Sequence, residues 1–144
     1  MSFLVDTNVV SELRKIESGQ ADPAVSQWAR ATPADELWIS VISLGELELG
    51  VRRMERRDVV QGRMLREWLE DTVIPGFDGR TLPVDADVAR TAAAWSVPDP
   101  APLADSLIGA TAARAGLTVA TRNTAHFDRF AGLKIFDPWS ATMP

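Results

Sequence analysis

The stretch Phe3-Leu4-Val5-Asp6-Thr7-Asn8 runs three apolar residues straight into a carboxylate and two small polar residues. A short apolar run of this kind suits the central strand of a parallel sheet, and the ligands of such sheets gather beyond the carboxyl ends of their strands. Asp6 is expected to stand at such an end. The same residues also admit a plainer reading, in which Asp6, Thr7 or Asn8 caps a helix from Val9 to Lys15. The rest of the chain weighs between the two.

Outward from this stretch, Ser18 to Pro23 reads as a loop, with Pro23 opening a helix over Ala24 to Ala31. Leu37 to Val41 is β-rich. Ile42 to Gly50 then leads into an arginine-rich helix, with Ser43 as a candidate N-terminal cap. Gly45 and Gly50 each cost about 1 kcal/mol of helix propensity, so a close neighbour, a metal or a second chain is expected beside them. Val59 to Val73 continues as a helix, with Val60, Met64, Leu65, Trp68 and Leu69 at spacings of three and four, which suggests an αα-hairpin. Thr81 to Val84 reads as a short strand and Asp85 to Trp95 as a helix. Pro98, Pro100 and Pro102 stiffen the loop before a small-residue helix that starts at Leu103 and ends at Gly116. Leu117 to Thr121 and Leu133 to Phe136 are the last strands. This alternation predicts an α/β fold of three layers, a central parallel sheet with helices on both faces, in a single domain over residues 1–144.

Composition narrows the chemistry. The 144 residues are 46% hydrophobic and 24% charged, ordinary for one folded core. With no cysteine and the single histidine His126, thiolate chemistry and multi-histidine metal sites are excluded, so any metal is held by oxygen. His126 itself reads as a packed or hydrogen-bonded loop residue rather than a catalyst. The sequence has no apolar run of membrane-spanning length and no basic leader, so a cytoplasmic protein is expected. Twenty acids against fifteen bases give a net charge of −5, which argues against a bulk electrostatic grip on nucleic acid. Carboxylates clustered round a divalent cation would nevertheless leave the remainder near neutral and compatible with an anionic substrate.

Three acids share one setting near a strand-to-helix transition, flanked by apolar or small residues: Asp6, Glu46 and Asp105. Isolated charges are rarely buried without partners, and a hard cation such as Mg²⁺ or Mn²⁺ prefers carboxylate and water oxygens and is completed by substrate phosphates. Alternatively, Glu46 is a solvated helix residue beside Glu48, and Asp105 favours its own helix N-terminus. Arg52, Arg53, Arg56 and Arg57 form one helical stripe that can track a phosphate backbone. Glu55, Asp58 and Glu67 are interleaved, as in a solvated helix with local ion pairs.

Val5-Asp6-Thr7-Asn8 with Ser11 and Glu12, Ile39 to Leu47 with Gly50, Ala104 to Ala112, and Thr121-Arg122-Asn123 through His126-Phe127 to Pro138-Trp139 together resemble the PIN-domain proteins, above all the VapC or FitB type of bacterial toxin. The resemblance spans nearly the whole chain in order. It implies a helix-sandwiched parallel sheet whose acids bind Mg²⁺, with Mn²⁺ able to substitute, to cleave RNA. It also implies a homodimer silenced by a small VapB- or FitA-like antitoxin encoded alongside. Asp6, Glu46 and Asp105 match the principal catalytic and metal-binding acids. Many members carry aspartate where this chain has Asn123, which can ligate through its amide oxygen, and Asp128 is the nearest carboxylate to that position. Thr7, Asn8 and Thr121 match supporting hydrogen-bonding positions.

The expected function is therefore a Mg²⁺-dependent endoribonuclease, the toxin of a toxin–antitoxin pair. Two alternatives stand beside it. One is a PIN-fold module that binds RNA or protein without turnover. The other is a phosphoryl-transfer enzyme with Asp6 as nucleophile, disfavoured because only Lys15 and Lys134 could hold the phosphoryl group. The face Gly109, Ala110, Ala112 and Ala113, with the apolar segment round Trp68, motivates the homodimer.

Overall fold

A computed structural model describes residues 1–140. Strands β1 (Phe3–Val5), β2 (Leu37–Ser40), β3 (Thr81–Leu82), β4 (Thr118–Ala120) and β5 (Ile135–Phe136) form one sheet in the order β3-β2-β1-β4-β5. Every neighbouring pair is parallel. All three residues of β1 are buried, because side chains that alternate along the strand meet helices on both faces. Phe3, Val5 and Ala120 join Val9 and Val10 of α1 (Thr7–Leu13), Trp28 of α2 (Pro23–Ala31), and Leu47 and Val51 of α3 (Val41–Arg57). α4 (Val59–Trp68) packs outside them along α3, and α5 (Ile74–Gly76) closes that segment. On the other face Leu4 and Val119 meet the later helices. These are α6 (Ala86–Trp95), α7 (Leu103–Ala115), which supplies Ile108 and Ala112, and α8 (Thr124–Phe127), which supplies Phe127. The expected three-layer α/β fold is present, and among the described residues no helix is long and apolar enough to cross a membrane.

Side-chain caps set many of the helix starts. Asp22 accepts from Ala24 N at 2.9 Å, Asp58 from Gln61 N at 3.1 Å and Asp85 from Val88 N at 2.9 Å, each satisfying a backbone donor that the first turn leaves free. The cap of α3 is Ser40, not Ser43. Ser40 has extended backbone angles and its hydroxyl accepts from Ile42 N at 3.0 Å, so β2 ends there and Val41 is already helical. Ser43 is fully buried, with a hydroxyl that finds no partner among the described residues.

Two further expectations are corrected. The helix expected over Val59 to Val73 stops at Trp68 and passes through a π-helical turn, Leu69–Val73, before α5. The wider turn keeps both Leu69 and Val73 in the core. A Cβ on Gly45 or Gly50 would meet nothing within 4 Å, so neither glycine admits a close neighbour within the chain. The glycine that does is Gly62, where a Cβ would stand 2.7 Å from the backbone nitrogen of Glu55 and α4 crosses α3. Gly109, too, is spoken for within the chain: a Cβ there would press on Phe130 at 3.1 Å and on Leu133 and Trp95 at 3.3 Å. With Ala110 and Ala112 fully buried, these three residues of the small-residue face serve the chain's own core, while Ala113 is exposed.

Candidate active site

β1 has β2 on one side and β4 on the other, so the strand order reverses about it and a crevice opens beyond its carboxyl end, where open parallel sheets place ligands. Asp6 is the first residue past that end. Its peptide N–H still donates to Ala120 O at 2.9 Å, while its side chain caps α1 by accepting from Thr7 N at 2.8 Å through Oδ1. The plainer capping role and the strand-end role therefore coincide in one residue. Oδ2 accepts from the Thr121 hydroxyl at 2.8 Å, a buried bond, and from Asn8 Nδ2 at 3.4 Å. Thr121, just past β4, also accepts from Asn123 N at 3.0 Å.

Thr7, Asn8 and Thr121 thus surround the Asp6 carboxylate as the motif suggested, and Thr7 does more. Its hydroxyl donates to Glu46 Oε1 at 2.7 Å, tying the start of α1 to the second turn of α3. Asp105, in the first turn of α7, is the third acid. Burial pushes the Asp6 carboxyl above the ordinary carboxylate range; the Thr121 and Thr7 hydrogen bonds oppose the rise, and the charges of Asp105 and Glu46 add to it. The charges of Asp105 and Glu46 are thus felt at Asp6, which is buried, while Asp105 is half-buried and Glu46 exposed.

At the fourth position both candidate side chains are exposed. Asn123 precedes α8 with an exposed side chain that makes no capping bond. Asp128 follows α8, exposed, and among the described residues its carboxylate takes part in no ion pair. The α8 side chain that reaches the cluster is His126, whose Nδ1 lies 3.2 Å from Asp105 Oδ2. Sequence reasoning put His126 in a loop with a hydrogen-bonding role. The side chain is exposed and lies against a site carboxylate, and the one-turn helix starting at Thr124 is what places it there.

The arginine stripe lies elsewhere. α3 runs back from the sheet edge, so Arg52 to Arg57 lie about 9 to 17 Å farther along its axis than Glu46. Arg52 Nε bonds Glu48 at 2.8 Å. Arg66 of α4 bridges Glu48 at 2.8 Å, Glu55 at 2.9 Å and Glu70 at 3.2 Å, an ion-pair seam between two helices. Lys15 is held by Glu12 at 3.0 Å, which leaves it poorly suited to gripping a phosphoryl group on Asp6.

The carboxylates form an open set. Among the described residues no three acidic or imidazole side chains close to the spacing of a ready-made metal cage. Yet Asp6 and Glu46 have no ion-pairing base within reach among those residues, and Asp105 has only the imidazole of His126. Oxygen donors with uncompensated negative charge, in an open arrangement, fit a hard divalent cation that retains several of its waters.

Comparison with known proteins gives a consistent picture. Residues 3–133 match the PIN domain. The sequence is 40% identical over 145 residues to the VapC ribonuclease Y4jK of Sinorhizobium fredii, covering 95% of this chain and 97% of that one. It is 37% identical over 143 residues to the toxin FitB of Neisseria gonorrhoeae, covering 95% of this chain and 98% of the relative. The fold is similar to that in the crystal structure of FitAcB from Neisseria gonorrhoeae, with a TM-score of 0.84 and 34% identity over 96% of this chain and 99% of that one.

Proposed function

The chain belongs to the PIN-domain family, and we propose that it is a Mg²⁺-dependent endoribonuclease, the toxin of a toxin–antitoxin pair acting in the cytoplasm. What supports the reading is the placement of Asp6 at the N-terminus of α1, Glu46 in the second turn of α3 and Asp105 in the first turn of α7, with the Thr7 hydroxyl linking the first of these helices to Glu46 at 2.7 Å. The names of the similar proteins, a ribonuclease and a toxin, support it.

Each acid has a polar neighbour. Thr121 and the Thr7 peptide orient Asp6, the Thr7 hydroxyl orients Glu46, and the His126 imidazole stands 3.2 Å from Asp105. Asp6, Glu46 and Asp105 would hold the cation, Mn²⁺ substituting for Mg²⁺, with the Asn123 amide oxygen or the Asp128 carboxylate as further ligand. Once bound, it supplies water activation and charge neutralisation for in-line hydrolysis of a phosphodiester. The chain's own part is to keep three carboxylates in register before substrate arrives, which removes that ordering from the reaction itself. A VapB- or FitA-like antitoxin would silence the site by offering a basic side chain to these carboxylates in place of the metal, and the working unit would be a homodimer.

The test is incubation of purified protein with mixed cellular RNA, with Mg²⁺ or with chelator, beside Asp105→Asn. Cleavage by the wild type in Mg²⁺ alone is expected, and equal cleavage by Asp105→Asn would sink the reading. A binding module without turnover is the second reading, favoured by the uncharged Asn123 and the open carboxylate set. Under it Mn²⁺ would leave the melting temperature of the wild type unchanged.

A further inference from the structure

A ribonuclease with an acidic centre needs a way to seat RNA beside it, and the arginines of α3 are carried away from the acids. One arginine is not. Arg122 directly follows Thr121, the residue whose hydroxyl holds Asp6, and its peptide N–H donates to Asn8 Oδ1 at 3.3 Å. Its backbone is thereby pinned to the rim of the crevice. Its side chain is exposed, and among the described residues no carboxylate lies within ion-pair distance of it.

What the guanidinium does touch is an indole. Its central carbon stands 5.2 Å from the ring centroid of Trp139, within the range of a cation–π contact. Trp139 is itself fixed: its peptide N–H donates to Asp137 Oδ1 at 2.8 Å, and its ring packs against the cluster that contains Phe3 and Trp28. The result is a planar cation set against a packed aromatic ring and exposed to solvent. Bases of single-stranded RNA are recognised by stacking on such planes, whereas a phosphate asks only for charge.

We propose that Arg122, backed by Trp139, is a stacking platform for a base of single-stranded RNA next to the scissile phosphate. It is a substrate-positioning site, and the inference rests on the ribonuclease reading above. It assigns the platform a preference for unpaired RNA, since a base in a duplex has its faces covered.

The experiment compares binding of two probes to Asp105→Asn protein, which leaves RNA uncut: a fluorescent single-stranded RNA oligonucleotide, and the same ribose–phosphate chain without bases. Adding Arg122→Lys keeps the charge and removes the plane. The expected result is a roughly tenfold loss of affinity for the base-bearing RNA, with the abasic chain bound as before. Trp139→Leu, which removes the backing ring, should shift the same probe in the same direction when measured well below its melting temperature, which falls because the ring also packs on the core. Equal losses on both probes, or none on either, would overturn the platform while leaving metal-dependent cleavage standing. Failure to bind either probe, together with no Mg²⁺-dependent cleavage by the wild type, would overturn both.

Discussion

Asp6 carries two duties that pull against each other. It caps α1 and accepts from Thr121, which favours the carboxylate, yet it is buried beside two other acids, which disfavours it, and burial outweighs the hydrogen bonds. The stability consequence has a definite sign. A carboxyl whose folded-state pKa lies above its unfolded value binds its proton more tightly in the folded chain. Its charged form therefore destabilises the metal-free protein above the raised value, and the penalty fades as pH falls toward the ordinary carboxylate range. Asp6→Asn should raise the melting temperature of metal-free protein by a few degrees near neutral pH, because the amide oxygen can still accept from Thr7 N and its NH₂ can donate to Thr121. The gain should shrink in acid. Thermal melts of both proteins across that range in chelator would check it, and a gain that grows on acidification would contradict the electrostatic account. At this scale the sequence was partly legible. Asp6, Glu46 and Asp105 could be singled out because acids in apolar or small-residue surroundings need a partner. The pairing of His126 with Asp105 could not be read, because it depends on a single helical turn, Thr124–Phe127, whose only local signal is the threonine at its start.

Elements followed their local signals where a signal existed. Pro23 at the start of α2 and Gly116 at the end of α7 marked helix bounds that the structure keeps. The errors fell where two signals compete or where none exists. Ser40 and Ser43 are both good caps, and the choice between them turns on where β2 stops pairing with β1 and β3, a tertiary fact. The π-turn Leu69–Val73 leaves no mark in a helical periodicity that it merely stretches. Glycines mislead in the same way, because propensity counts their cost without revealing which helix face is crowded. A paired substitution separates the two. Gly45→Ala meets no atom and should stabilise the metal-free chain by about 0.5–1 kcal/mol through helix propensity alone. Gly62→Ala drives a methyl into the Glu55 backbone and strains the Arg66 seam that binds Glu48 and Glu55 across the same helix pair. It should cost about 1–3 kcal/mol despite the same propensity gain. Urea denaturation of the two variants should move the midpoint in opposite directions; stabilisation of both would show that α3 and α4 do not cross as tightly as described.

For the molecule as a whole, the three layers were legible because an all-buried β1 and alternating strands and helices admit few other arrangements. The surface left for a partner was not. The small-residue face of α7 looked surplus in sequence, but Phe130, Leu133 and Trp95 fill it, and Trp68 lies half-buried against the core. Among the described residues a run of exposed apolar side chains stands instead on α4, where Val59, Val60 and Met64 are 69%, 68% and 49% exposed. Val60 and Met64 stand one turn apart on a single face, so a second copy of the same helix could cover them as a two-fold pair. The homodimer expected for this chain is therefore best tested there. Light scattering should give about twice the 15.7 kDa chain mass at micromolar concentration, and Val60→Asp with Met64→Lys should return it to the monomer mass with little change in helix content. If the double variant remains dimeric, α4 is not the contact face; if the wild type is monomeric throughout that range, the dimer itself is excluded.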